Sequence, residues 1–149
     1  MPLIKDIAFW AVEARFGEIF DLFFHPHYML KNEGTSPFLN AYTAIDAKGD
    51  YIMHKAAAVG AADILHLLVT KGRARVPTLN PFGETPLHLA ARNGDMDTVT
   101  MLLNAFSVTA MAKNEKYPIH YAVETNNEEM VTAILKYINE LQVRSLVTW

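Results

Sequence analysis

The sequence predicts an all-α solenoid, a single domain of about four helix-turn-helix repeats joined by short hairpin-like tips. Three observations predict it. The chain matches itself when a central stretch is shifted back by 34 residues and forward by 32. The residues that match are types with special backbone or packing demands: histidine, paired alanine and glycine. Between them, apolar residues at helical spacing alternate with turn-rich, polar links.

The clearest unit is the third, at about residues 80–111, which contains GETPLHLAARNGD from Gly83 to Asp95. Thr85 before Pro86 is a helix start, a hydroxyl cap followed by proline where a missing N–H costs nothing. Ala90 and Ala91 are small enough for two helices to approach closely. Gly94 stands where a left-handed residue closes a helix. After it, DTVTMLL from Asp97 to Leu103 carries apolar residues at the spacing of an amphipathic second helix.

The second unit, about 46–79, and the fourth, about 112–140, repeat this order less completely. His54, Ala56, Ala57, Gly60 and Asp63 fall on His88, Ala90, Ala91, Gly94 and Asp97. His120, Ala122, Asn126 and Val131 fall on His88, Ala90, Gly94 and Val99, with asparagine the next-best residue in a left-handed place. Gly49 matches Gly83, and Pro118 matches Pro86.

This period, with Thr-Pro-Leu-His, Leu-Ala-Ala and a glycine before an acidic amphipathic helix, resembles the ankyrin repeat. The resemblance is strongest over about residues 44–137. It implies an ankyrin-type solenoid whose histidines belong to the folding framework.

The ends depart from the pattern. A divergent first unit is expected at about 3–30, with Ala11 in the alanine place, Phe9 in the histidine place and Arg15 in the glycine place. Departure suits a terminal repeat, which covers the end of the stack. The step from Ala11 to Ala56 is 45 residues, so a long insertion is expected within about 25–43. At the other end, the extension 141–149 carries Leu146, Val147 and Trp149, not the polar face a closed array needs. A short covering helix, a longer native chain, or pairing with another molecule would each answer this. The oligomeric expectation is a monomer or a weak dimer through this end.

Composition narrows the function. Net charge is −3 with no cysteine, so no disulfide, thiolate site or cysteine nucleophile is available. The charge argues against nucleic acid, and no apolar run suits a membrane span or a secretory signal. A cytoplasmic place of action is expected. His54, His88 and His120, one per repeat, would stand roughly 10 Å apart, too far to share an ion whose ligands lie about 2 Å away. His25 and His27 could offer two ligands but have no third. Arg73 and Arg75 with Lys71 form only a small basic spot. No phosphate loop, nucleophile elbow or metalloprotease helix is present. No cofactor, no metal and no enzymatic activity are expected.

Function then rests on recognition. In ankyrin proteins the tips and first helices form a concave face. Carried over by position, the resemblance implies a partner-binding set of Lys48 and Asp50, then Phe82 and Glu84, then Lys113, Asn114 and Lys116 at the tips. The first helices add Arg92 and Asn93, then Glu124 and Thr125. Phe82 is the leading candidate, because the fold needs no aromatic at a tip and aromatic and arginine anchors dominate interface energetics. Glu84, Arg92, Asn93 and Phe82 are taken as residues the framework does not need, so Phe82→Ala with Arg92→Ala should abolish partner capture and leave thermal unfolding nearly unchanged. The expected function is a protein-binding module that occupies or sequesters a partner, as small host-directed viral or bacterial ankyrin proteins do. A self-associating structural protein or a piece of a larger scaffold is the alternative.

Overall fold

The computed structural model describes residues 4–18, 46–71, 79–103 and 108–147. The expected insertion at 25–43 with its His25–His27 pair, the arginines at 73 and 75, and Trp149 lie outside these residues.

Seven helices run through the described segments: α1 (Ile4–Glu13), α2 (Ile52–Val59), α3 (Ala62–Lys71), α4 (Pro86–Asn93), α5 (Met96–Leu103), α6 (Pro118–Glu124) and α7 (Glu128–Val147). The first helices form one layer, α1 on α2 on α4 on α6, and the second helices α3, α5 and α7 form the layer behind. Ala56, Ala57, Ala90 and Ala91 are fully buried in the first layer. Each has only a methyl to accommodate, which is why alanine recurs there. Ile64, Leu65, Leu68, Val99, Leu102, Met130 and Ile134 close the core from the second layer.

The helix ends follow the residue types. Thr85 Oγ1 caps α4 by accepting from the His88 amide at 3.4 Å. Gly60 and Gly94 are left-handed with φ of 71° and 83°. Asn126 and Arg15 take the same conformation at 56° and 59°. Ala61 N–H then bonds back to the Ala56 carbonyl at 2.9 Å, and Phe16 N–H to that of Ala11 at 2.8 Å, so carbonyls left open by the helix end are satisfied.

The tips are tight turns, and no extended strand is present among the described residues. In each, a backbone pair closes the turn: Asp46 N–H to Asp50 O, Asn80 N–H to Glu84 O, and Ala112 N–H to Lys116 O, at 2.9 to 3.1 Å. Asp46 and Asn80 also fold their side chains inward. Asp46 Oδ1 accepts from the amides of Lys48 and Asp50, and Asn80 Oδ1 from those of Phe82 and Glu84. Gly49, Gly83 and Glu115 are left-handed in the equivalent place, at 85°, 71° and 64°.

Two of the repeat histidines, His54 and His88, are bolts between units. His88 Nδ1 accepts from Thr85 N–H at 3.1 Å, which leaves the proton on Nε2, facing the Lys116 carbonyl of the next unit at 3.1 Å. His54 does the same, with Nδ1 on Tyr51 N–H and Nε2 at 2.7 Å from Glu84 O. His120 keeps the local half of the arrangement, accepting from Tyr117 N–H at 2.9 Å.

Candidate functional site

The tips of the third and fourth repeats and the first helices behind them enclose an open cleft of about 480 Å³. Phe82, Glu84, Arg92, Lys113, Asn114 and Tyr121 line it. It brings together five of the residues expected at the partner surface and adds Tyr121.

Glu84 is the centre of the cleft floor. It is only 5% exposed, a correction to its expected place among the residues the framework does not need. Its carboxylate accepts from three donors: Asn80 Nδ2 donates to Oε1 at 2.9 Å, and Oε2 accepts from the Tyr121 hydroxyl at 2.6 Å and Arg92 at 2.7 Å. A buried carboxylate demands such partners. Burial alone would raise its pKa, but the hydrogen bonds from Tyr121 and Asn80 and the Arg92 charge outweigh that and hold it below its ordinary value. Burial and the bond to Glu84 push the Tyr121 phenol up.

Arg92 is exposed, as expected, but it is also tied to the floor. It is half of the Glu84 ion pair, and its guanidinium carbon lies 4.6 Å from the Tyr121 ring centroid. Sequence reasoning missed Tyr121 because it reads as the apolar residue equivalent to Leu89. Its buried hydroxyl, which requires a hydrogen-bond partner, was the available signal. Asn114 donates to the same hydroxyl at 3.1 Å.

Phe82 stands at the rim. Its backbone is held on both sides, the amide on Asn80 Oδ1 at 3.1 Å and the carbonyl by Lys113 N–H at 3.0 Å. The residue is 63% exposed. The Lys113 side chain is exposed beside it.

The remaining candidates fall elsewhere. Asp50 ties its tip to the next through Asn80 Nδ2 at 2.9 Å, and Lys48 is exposed on that first tip. Lys116 and Glu124 form an ion pair with each other. Asn93 is exposed at the end of α4, near Gly60 of the preceding unit. Thr125 returns its hydroxyl to the Ala122 carbonyl at 2.8 Å. Among the described residues no helix is long and apolar enough to cross a membrane.

Stacked helix-turn-helix units, bolted by histidine and presenting turn tips along one edge, define a solenoid repeat protein. The chain belongs to the ankyrin repeat family. The family model for ankyrin repeats in three copies matches residues 8–112 and 53–145. Similar stretches occur in alpha-latrotoxin-Lh1a of Latrodectus hasselti, 33% identical over 66% of this chain, and in alpha-latrotoxin-Lg1a of Latrodectus geometricus, 36% identical over 58%. The chain spans only 7% of the length of these relatives. Ankyrin repeats generally mediate protein–protein interaction.

Proposed function

We propose that this chain is a non-catalytic protein-binding module that docks a partner protein at the cleft between its third and fourth tips. Phe82 is the anchor, Lys113 and the outer edge of Arg92 supply charge, and the Glu84–Tyr121 floor keeps the cleft in shape. Occupying the partner's surface in this way would inhibit or sequester it. Acting inside a cell, as a host-directed protein of a virus or bacterium does, fits the cysteine-free sequence.

The observation that carries this reading is Phe82. Its backbone is fully used by the fold, while its ring is exposed above a preorganised polar floor. Rigid aromatic anchors of this kind concentrate binding energy.

The test is capture from lysate of cells or of a candidate host by the immobilised chain, followed by Phe82→Ala and Lys113→Glu. A partner protein retained by the wild type and lost with either variant, at unchanged melting temperature, supports the reading. Retention by both variants refutes it.

A further inference from the structure

The tip cleft uses its acceptors for the fold and leaves donors open. Each side-chain acceptor on its lining already takes a bond from within the protein. Glu84 accepts from Asn80, Tyr121 and Arg92. The Tyr121 hydroxyl, having donated to Glu84, accepts from Asn114 Nδ2 at 3.1 Å. Asn114 Oδ1 in turn accepts from the Lys116 amide at 3.2 Å. The donors are in surplus. Arg92 has about five N–H groups and gives one nitrogen, Nη2, to Glu84. Lys113 Nζ is exposed and meets no carboxylate or carbonyl among the described residues.

Both cations are placed before any ligand arrives. The Arg92 guanidinium is fixed from two sides, by the Glu84 ion pair and by the Tyr121 ring 4.6 Å away. The base of the Lys113 chain is fixed by its amide, which donates to the Phe82 carbonyl, and by a close approach to Gly83. A Cβ at position 83 would stand 3.1 Å from Lys113 N and 3.2 Å from Lys113 Cγ, so a glycine there lets the lysine stem lie against the third tip. Groups ordered in advance lose less entropy when they bind.

The charge of the cleft has the same sign as its open donors. Glu84 is the carboxylate on the described lining, and Arg92 cancels it. The Lys113 charge is left over. Glu124 is paired with Lys116, and Glu115, exposed on the same tip, does not line the cleft. An ammonium or guanidinium from a partner would set donor against donor. A phosphate, at about −1.5 to −2, would exceed the single surplus charge. A carboxylate matches it, and takes the parallel N–H donors that a guanidinium offers.

We infer, resting on the reading that this cleft docks a partner protein, that the docked segment is acidic. It places one Asp or Glu carboxylate between Arg92 and Lys113, beside an apolar side chain that lies on Phe82. Charge then selects the partner, while Phe82 supplies apolar contact to any segment that fits.

Magnetic resonance titration of the isotope-labelled full chain tests this. The probes are hexapeptides identical except for the residue next to a tryptophan, which is Glu, Gln, Lys or phosphoserine. The Glu peptide shifts the amides of Phe82, Lys113 and Asn114 and binds about tenfold more tightly than the Gln peptide, the scale of one charge-assisted hydrogen bond. Lys113→Glu reverses the order in favour of the Lys peptide. If that reversal disturbs the tip spectrum, Lys113→Gln replaces it and narrows the gap between the Glu and Gln peptides. Equal binding of the Glu, Gln and Lys peptides, all lost with Phe82→Ala, overturns the acidic assignment and leaves the docking reading standing. Tighter binding of the phosphoserine peptide overturns it as well. So does the absence of shifts at the cleft with every peptide at millimolar concentration, and lysate capture compared with Phe82→Ala then decides the docking reading separately.

Discussion

The Tyr121 hydroxyl donates to Glu84 Oε2 across 2.6 Å, joining the first helix of the fourth repeat to the tip of the third. The bond spans 37 residues of sequence and sits under the cleft proposed to bind a partner. It sets the shape of that cleft, and its loss should be read in stability before binding.

Tyr121→Phe removes one donor from a buried carboxylate and should cost about 1–3 kcal/mol, the penalty for leaving such a group short of a partner. Chemical denaturation of the variant beside the wild type measures it. A loss below a few tenths of a kcal/mol would show that Asn80 and Arg92 suffice.

Acidification should weaken the fold in two stages. The His88 pKa is lowered from 6.5, chiefly by burial, so the fold favours the neutral ring. Its contribution is present above about pH 6.5 and is lost as pH falls below that value. Protonation would also set an Nδ1 proton against the Thr85 amide that Nδ1 now accepts. The Glu84 pKa is lowered from 4.5, so its contribution is present above that pH and is lost on falling through the folded value. The melting-temperature gap between wild type and Glu84→Gln should therefore be largest near neutrality and narrow at pH below 4.5. A gap independent of pH would contradict the assignment.

Phe82→Ala and Arg92→Ala should separate in stability, contrary to the expectation from sequence that both are neutral. Phe82→Ala removes an exposed ring and should stay within about 0.5 kcal/mol of wild type. Arg92→Ala strips one charge partner from buried Glu84 and should lower the melting temperature measurably. Thermal melts of the two single variants decide it, and equal melts would return Arg92 to the free surface.

The same histidine should matter differently by repeat. His88→Ala removes a buried ring that bridges Thr85 to the next unit at Lys116, and should cost about 2 kcal/mol or more. His120→Ala loses the local bond to Tyr117 and the stacking of the two rings, both within the repeat, and should cost about 1 kcal/mol or less. Equal costs in parallel urea titrations would place the energy in the local cap instead.

Glu115 holds a left-handed backbone where the two preceding tips have glycine. Glu115→Gly should relieve a conformational penalty of about 1 kcal/mol, partly offset by the greater freedom of glycine in the unfolded chain. A net gain of a few tenths of a kcal/mol on thermal unfolding is expected, and a loss would show that the Glu115 side chain contributes to the tip.

The sequence by itself determined what is local. Thr85 and Pro86 start a helix, Gly60 and Gly94 end one, and Ala56, Ala57, Ala90 and Ala91 mark where helices meet. Each demand is met within a few residues of chain or by a type of neighbour that every repeat supplies. The tertiary structure alone decided which members of an equivalent set are covered. His88 and His120 share one motif position, as do Ala91 and Val123, yet among the described residues the first of each pair is buried under the following unit and the second is exposed. Glu84 read as a free tip charge because nothing within a few residues marks it as buried. Its Tyr121 partner arrives from the next repeat, and burial is a property of what packs on a residue, not of the residue itself.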